Sequence, residues 1–241
     1  MIVYGLTGGI ACGKSAVTRI LREQEGIPVI DCDEIAHAVY LPGTWGYSRV
    51  MAAFSEGPPL LPNGCVDREA LGKIVFHDRS QRKLLEKAVG PPILIEILRQ
   101  LLYHWAAGES LVVIDAPTLY ETKHLLWICS RVIVVSTDAK TQLQRVITRD
   151  GLSRADAERR IAAQMPLRKK CELADVVLDN SKTLDALRTV VATESRRAKL
   201  DAKQRFGFPS PLMLLIGFVV VSPAAYCAIL SRGWAEEQSR L

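Results

Sequence analysis

The sequence is poor in aromatic residues and contains no basic cluster with aromatics between its members. Aromatics make up 6% of the 241 residues, and the net charge is only +5. Proteins that bind nucleic acid usually show clustered Lys and Arg together with stacking aromatic side chains. The composition therefore argues against a nucleic-acid partner, whereas a mildly basic chain suits polyphosphate ligands.

Cysteine pairs and an N-terminal signal pattern are also absent from the sequence. The six cysteines are scattered without a Cys-x-x-Cys pair: Cys12, Cys32, Cys65, Cys129, Cys171 and Cys227. This spacing favours reduced thiols over a disulfide framework. Lys14 and Arg19 interrupt any apolar run near the N-terminus, so we expect no signal peptide. Both observations predict that the folded domain faces the cytosol.

Charged residues are missing from one long segment near the carboxyl end. Residues 206–231 contain no Asp, Glu, Lys or Arg, and residues 212–221 are strongly apolar. A segment of about 20 apolar residues can span a bilayer. The flank upstream is rich in basic residues, which favour the cytosolic side of a membrane: Arg196, Arg197, Lys199, Lys203 and Arg205.

We therefore expect residues 208–231 to form a C-terminal transmembrane anchor whose preceding domain faces the cytosol. The short tail after this segment carries Arg232 and Arg240, which suits the mitochondrial outer membrane. The endoplasmic reticulum is the alternative membrane. A buried core helix and a hydrophobic dimerisation helix are the alternatives to an anchor, and the sequence indicates no particular oligomeric state.

One glycine-rich motif organises the remaining sequence. It matches the phosphate-binding loop pattern G-x-x-x-x-G-K-[ST] at every fixed position and consists of Gly8, Gly9, Ile10, Ala11, Cys12, Gly13, Lys14 and Ser15. The apolar run 2–6 predicts a strand before the motif, and apolar residues at helical spacing after it predict a helix from about Lys14. Strand, loop and helix in this order are the context that the motif requires.

A loop of this type predicts that the chain binds a nucleoside triphosphate. The backbone N–H groups of the loop point at phosphate oxygens, and the helix N-terminus adds partial positive charge. We expect Lys14 to reach the β- and γ-phosphates of ATP and the Ser15 hydroxyl to ligand Mg²⁺.

Acidic residues follow two further apolar runs, where parallel strands would end. Asp31 and Asp33 follow the run 27–30, at the sheet edge that also carries the phosphate loop. Asp33 is placed to approach a hydroxyl acceptor lined up with the γ-phosphate. A helix N-cap is the compatible alternative for an aspartate here. Asp115 ends the run 111–115 and is expected to reach the Mg²⁺ shell.

The order of the remaining elements indicates an α/β fold. Apolar runs at 131–136 and 175–180 alternate with helical patterns, which predicts a parallel sheet buried on both faces. Residues 43–108 are rich in helical patterns, and we expect a long helix to begin at Pro91. Such an insert would form a lobe over the nucleotide site and hold the acceptor, unless it is a purely structural helical layer.

Arginines surround a short Asp-Gly turn at residues 150–151. Arg145, Arg149 and Arg160 are placed to act as a mobile lid, over about 145–165, that closes on ATP phosphates and stabilises charge in the transition state. Solvated surface arginines are the alternative, because such residues are common on exposed helices.

Several motifs together resemble one known family. They are the segments 5–10 and 13–15, Asp31-Cys32-Asp33, the segment 71–76, the run from Asp115 to Glu121, the lid arginines with Gln164, and the segment 174–181. This set resembles the dephospho-coenzyme A kinase family over roughly residues 1–200. With an apolar C-terminal segment, the arrangement looks like the eukaryotic dephospho-CoA kinase domain-containing proteins.

The resemblance implies a P-loop kinase, with a parallel sheet flanked by helices, over residues 1–205. The family phosphorylates the 3′-hydroxyl of the ribose of dephospho-CoA with Mg-ATP. Carried over, Asp33 would be the base or orienting carboxylate, and Lys14 and Arg149 would stabilise the transferring group. Asp31 and His37 would join Asp33 in binding the acceptor.

The chain departs from the family at four positions, two of which are Thr118 for a usual Leu and Lys182 for a usual Gly. His37 and Gly90 stand where the family usually has Arg and His. The alternatives to dephospho-CoA phosphorylation are therefore a P-loop kinase for another nucleotide-like acceptor and a catalytically weak, membrane-anchored nucleotide-binding protein.

Overall fold

The protein is described here by a computed structural model that covers residues 1–54 and 57–205. The segment 208–231, for which the sequence predicts a membrane anchor, lies outside these residues. Within the described ranges, no helix has the length and apolar character needed to cross a bilayer.

A parallel sheet of five strands forms the centre of the described domain. The strands are β1 (Ile2–Gly8), β2 (Val29–Asp31), β3 (Leu111–Asp115), β4 (Arg131–Ser136) and β5 (Val176–Asp179), and their order in the sheet is β2-β3-β1-β4-β5. The central strand β1 pairs with β3 and β4, so that Leu6 lies opposite Asp115 and Gly8 lies opposite Val135. The register therefore places the start of the phosphate loop beside the ends of two neighbouring strands.

Helices surround this sheet, and some of them form a lobe on one side of it. They are α1 (Lys14–Glu23), α2 (Cys32–Ala38), α3 (Trp45–Ala53), α4 (Arg68–His77), α5 (Arg79–Ala106), α6 (Leu119–Thr122), α7 (Ala139–Asp150), α8 (Arg154–Ala162), α9 (Leu167–Leu173) and α10 (Leu184–Arg205). The helix predicted to begin near Lys14 is thereby confirmed, as are the predicted strands before and after it.

The two faces of the sheet carry separate apolar cores, as expected for a parallel sheet covered on both sides. On one face Tyr4 and Leu6 pack with residues of α1 and α10. On the other face Val3 and Ile114 pack with residues of α2, α5 and α6. All residues of β1 and β3 are buried, which agrees with the largely apolar sequences of these strands.

The helical insert predicted for residues 43–108 is a lobe with its own small core. This core contains Val50, Leu71 and Ala88, which lie on α3, α4 and α5, together with Phe54 and Val66 from the chain between α3 and α4. Asp67 caps α4, because its carboxylate accepts a hydrogen bond from the Ala70 N–H at 3.0 Å. The lobe is therefore a packed unit, and its role in holding an acceptor stays a prediction.

The prediction that a helix begins at Pro91 was wrong. Pro91 and Pro92 lie inside α5, which runs unbroken for 28 residues. Prolines lack an N–H and leave the carbonyls four residues earlier, at Lys87 and Ala88, without helical donors. The Arg49 guanidinium donates to both carbonyls, at 3.0 Å and 2.8 Å respectively. A side chain from α3 thus replaces the two hydrogen bonds that the prolines remove.

Candidate active site

The phosphate loop has the backbone conformation needed to bind an anion. Gly13 has φ 94°, Ala11 has φ 58°, and α1 begins immediately after Gly13. A Cβ on Gly13 would lie 2.0 Å from Asn180 Nδ2, so neither the conformation nor the space admits a side chain there. The N-terminus of α1 therefore opens towards the loop, with its N–H groups placed for phosphate oxygens.

Side chains from the last third of the domain hold the loop in this shape. Gln142 Nε2 donates to the Ile10 carbonyl at 3.0 Å, and Gln164 Oε1 accepts from the Ile10 N–H at 2.9 Å. Asn180 Nδ2 donates to the Cys12 carbonyl at 2.9 Å. Gln142 was missed by sequence reasoning, because a glutamine on an amphipathic helix shows no motif. Gln164 and Asn180 were indicated only by the family resemblance.

Lys14 is held by Asp115 at the base of the loop. Lys14 Nζ lies 2.5 Å from Asp115 Oδ1, and the Thr18 hydroxyl donates to Asp115 Oδ2 at 2.6 Å. Burial raises the pKa of Asp115 above its ordinary value, and the nearby Lys14 and Thr18 oppose that shift. Each carboxylate oxygen of Asp115 therefore has one partner, Lys14 for Oδ1 and Thr18 for Oδ2.

The donor set suits a Mg²⁺ ion that is carried by the nucleotide. Ser15 lines the cleft beside the loop, at the start of α1. In the described ranges, no group of three or more His, Cys, Asp and Glu side chains could hold a metal. Mg²⁺ is commonly bound through one or two protein oxygens together with phosphates and water. Ser15 therefore fits this ion with the phosphates as further ligands, and Asp115 would act through water.

A cleft of about 670 Å³ extends over the loop. Its lining includes the loop, Asp33, Pro117, Gln144, Arg145, Thr148, Arg149 and Gln164. Arg145 donates to the Asn180 carbonyl at 3.1 Å, and its Nη1 is buried with no hydrogen-bond partner among the described residues. A buried cationic N–H without an acceptor is costly, and it fits a site that receives an anionic ligand.

The predicted lid consists of two helices joined at a left-handed glycine. Gly151 has φ 65° and ends α7. Arg149 and Arg160 both contact Asp150, at 2.8 Å and 3.0 Å. These contacts hold the pKa of Asp150 below its ordinary value, with the hydrogen bond from Arg149 as the largest cause. The structure thus places Arg145 and Arg149 on the wall of the cleft, whereas Arg160 forms an ion pair with Asp150.

A second cavity of about 600 Å³ lies between α2 and the helical lobe. Asp31, Asp33, His37, Tyr40 and Arg68 are among the residues that line it. Arg68 contacts His37 Nδ1, and its guanidinium lies 5.6 Å from the centre of the Tyr40 ring. Sequence reasoning missed Arg68, because nothing near it in the chain marks its approach to α2.

The two aspartates at the end of β2 have different positions. Asp31 is the N-cap of α2: one carboxylate oxygen accepts from the N–H groups of Asp33 and Glu34, at 2.9 Å and 3.1 Å. Asp33 lines the cleft over the phosphate loop and also the second cavity. The N-cap alternative is therefore correct for Asp31, while Asp33 lies where the two cavities meet.

A parallel sheet with a phosphate loop after its central strand, a helical lobe and a second cavity beside the loop define a P-loop phosphotransferase. A family model described as dephospho-CoA kinase matches residues 1–186 of the chain. The chain belongs to the dephospho-CoA kinase family, and it is a kinase with the α/β P-loop fold. The resemblance seen in the sequence is confirmed.

Individual relatives agree with this assignment. The chain is 47% identical to a dephospho-CoA kinase of Arabidopsis thaliana over 187 residues, which is 78% of this chain and 79% of the relative. It is 41% identical to a dephospho-CoA kinase domain-containing protein of Danio rerio over 207 residues, or 86% and 88% of the two chains.

Solved structures show the same fold. A crystal structure of a Thermus thermophilus protein matches with a TM-score of 0.65 and 32% identity, and covers 81% of this chain and 97% of the other. The dephospho-CoA kinase of Campylobacter jejuni matches with a TM-score of 0.63 and 26% identity, and covers 83% and 98%.

Proposed function

We propose that this protein transfers the γ-phosphoryl group of ATP to the 3′-hydroxyl of the ribose of dephospho-CoA, which gives coenzyme A. The observation that carries the proposal is the position of Asp33 on the wall common to two cavities. A nucleotide donor on the phosphate loop and an acceptor in the second cavity would meet beside this carboxylate. The family and the named relatives support dephospho-CoA as the acceptor.

On the donor side, the residues of the cleft bind and orient the phosphates of ATP. The loop N–H groups and the buried Arg145 Nη1 supply donors, and Lys14 moves from Asp115 to the phosphates. Arg149 lies on the same wall and adds positive charge where the transferring group carries negative charge. Mg²⁺ bound with the nucleotide would neutralise developing charge on the phosphate oxygens.

On the acceptor side, Asp33 accepts the hydroxyl proton or orients the hydroxyl for attack. Arg68 brings a guanidinium to the cavity, and a diphosphate such as that of dephospho-CoA is a suitable anionic partner for this group. Although His37 replaces the Arg that is usual in the family, the acceptor cavity therefore still contains a cationic side chain, that of Arg68. Gly90 lies in α5, where a Cβ would meet nothing within 4 Å.

The proposal is tested by an assay of ADP release with the full-length chain. Dephospho-CoA, adenosine and AMP are offered as acceptors, and Asp33→Asn is compared with Asp185→Asn, an exposed aspartate at the start of α10. We expect turnover with dephospho-CoA that falls by about 10²- to 10⁴-fold in Asp33→Asn and stays near wild type in Asp185→Asn.

Each other result of this assay favours one of the alternatives. Faster turnover with AMP or adenosine would indicate a kinase for another nucleotide-like acceptor. If no acceptor gave turnover above that of Asp33→Asn, the proposal would be wrong and the chain would be a catalytically weak nucleotide-binding protein.

We also propose that residues 208–231 anchor the protein in the mitochondrial outer membrane or the endoplasmic reticulum, with the kinase domain in the cytosol. The support is the uncharged stretch 206–231 and the basic flank before it. Carbonate extraction of membranes tests this proposal: the full-length chain should stay in the membrane pellet, and its release into the soluble fraction would exclude an anchor.

A further inference from the structure

A lysine outside the phosphate loop is the most deeply buried cation among the described residues. Lys170 lies on α9, and its side chain is 0% exposed. Its ammonium contacts three acceptors: Glu121 Oε1 at 2.7 Å, the Pro117 carbonyl at 3.1 Å and the Gly8 carbonyl at 3.2 Å. An ammonium has three N–H donors, so each donor has one acceptor. This buried charge is therefore fully paired, as its burial requires.

The two carbonyls belong to the entrance of the phosphate loop. Gly8 is the first residue of the loop motif, and a Cβ on it would lie 2.7 Å from the Val135 carbonyl oxygen. The Pro117 carbonyl also accepts from the Thr7 hydroxyl at 2.8 Å. Lys170 thus joins the end of β1 to the chain that leaves β3, and it fixes the direction of the Gly8 carbonyl.

The same lysine connects the loop to the segment that follows the lid. Glu121 Oε1, which pairs with Lys170, also accepts from the Met165 N–H at 3.2 Å. The preceding residue, Gln164, accepts from the Ile10 N–H at 2.9 Å. Residues 164–170 therefore contact the loop at both Gly8 and Ile10, directly after the lid helix α8.

We propose that Lys170 is a positioning residue for the nucleotide. It holds the Gly8 peptide in the direction that the loop needs to bind phosphates, and through Glu121 it keeps the segment after the lid against the loop. The proposal rests on the proposed function only in requiring that the loop binds ATP. The identity of the acceptor does not enter the argument.

Two variants distinguish a role of Lys170 in positioning the loop from a role in neutralising the charge of Glu121. Lys170→Met removes the ammonium and leaves Glu121 without its partner, which also lowers stability. The double variant Lys170→Met/Glu121→Leu removes both charges, so we expect it to recover stability and to fold even if the single variant does not. Lys169→Met is the matched control, because Lys169 is the exposed neighbour of Lys170 on α9.

The measurements are urea unfolding, the dissociation constant for ATP by calorimetry, and kcat and KM for both substrates. We expect ATP affinity to fall about 10- to 100-fold in the double variant, with little change in KM for the acceptor. In Lys169→Met we expect ATP affinity within about 2-fold of wild type, because Lys169 is exposed and does not line the cleft.

Two results would overturn the inference. One is wild-type ATP affinity in Lys170→Met/Glu121→Leu, which would mean that Lys170 only balances Glu121. The other is a loss in Lys169→Met as large as that in the double variant. Absence of dephospho-CoA turnover in wild type would overturn the proposed function instead, and it would leave the affinity series for ATP interpretable.

Discussion

Asp115 is a buried carboxylate that two side chains of α1 keep in place. Its side chain is 1% exposed, and its two oxygens are bound by Lys14 and Thr18. Under the proposed function Lys14 moves to the phosphates, while Thr18 keeps its contact with one oxygen of Asp115. The hydroxyl of Thr18 would then stabilise Asp115 both before and after nucleotide binding.

We expect Thr18→Val to lower the free energy of unfolding by about 1–3 kcal/mol, because a buried carboxylate oxygen loses its donor. Urea unfolding of the two proteins measures the difference. Thr193→Val is the control: Thr193 is exposed on α10, and its loss should change stability by less than about 0.5 kcal/mol. Equal effects of the two substitutions would contradict the role assigned to Thr18.

Buried thiols make the stability of the domain fall at alkaline pH. Burial raises the pKa of Cys12 to about 11 and that of Cys32 and Cys129 to about 12, from an ordinary value of 9.0. Above pH 9 the unfolded chain loses thiol protons that the folded chain keeps. The unfolded state then binds fewer protons, so the free energy of unfolding decreases as pH rises.

We expect urea unfolding between pH 8.5 and pH 10.5 to show this decrease, with each such thiol contributing at most about 1.4 kcal/mol per pH unit. Cys129→Ala should have a smaller slope than wild type. Cys12 should also react slowly with thiol reagents at neutral pH, although it lies in the phosphate loop, because its thiol is protonated and buried. An unchanged slope in Cys129→Ala would show that other groups cause the pH dependence.

At the scale of elements, the long helix α5 depends on a side chain from another helix. The Arg49 guanidinium, from α3, supplies the donors that Pro91 and Pro92 lack. We expect Arg49→Met to lower the free energy of unfolding by about 1–3 kcal/mol. In the Pro91→Ala/Pro92→Ala background the helix backbone supplies the missing N–H donors. Arg49→Met should therefore lower the free energy of unfolding by less in that background.

Urea unfolding of the four proteins in this cycle measures the coupling. Arg82→Met is the matched control, because Arg82 is an exposed arginine of α5 in an ion pair with Glu86. Equal costs of Arg49→Met in the two backgrounds would mean that Arg49 acts through its contact with Trp45 instead.

Periodicity and strand-end acids were sufficient to predict most elements of the sheet. The run 111–115 is entirely buried and forms β3, and the run 131–136 forms β4. Pro91 misled the prediction, because the residue that compensates for it lies on a different helix. The local sequence gives no sign of such a contact. A helix boundary at Pro91 was therefore expected, but α5 continues through it.

In the candidate site, too, residues placed by a local pattern could be predicted, and residues placed by packing could not. Lys14, Ser15 and Asp33 could be predicted, because a motif and the end of a strand place them at one edge of the sheet. Gln142 and Lys170 contact the loop across 132 and 162 residues of chain. Their positions depend on how α7 and α9 pack, which no short pattern in the sequence records.

At the scale of the whole molecule, ATP should stabilise the domain because its site joins distant segments. A ligand present at 100 times its dissociation constant adds about 2.7 kcal/mol to the free energy of unfolding. We expect thermal unfolding of the full-length chain to shift upward with Mg-ATP and the shift to be lost in Lys14→Ala. Lys140→Ala is the control, because Lys140 is exposed on α7. A full shift in Lys14→Ala would contradict the role of Lys14.

The contacts of Asn180 with the phosphate loop have a consequence for synthesis on the ribosome. The loop motif ends at Ser15, but the residues that shape it extend to Asn180, near the end of the described domain. At about 5–20 residues per second, translation needs roughly 10–30 s to pass from one to the other. During this interval the nascent chain carries the loop without the Asn180 side chain that helps to shape it. The loop can therefore reach its final shape only after Asn180 has been synthesised.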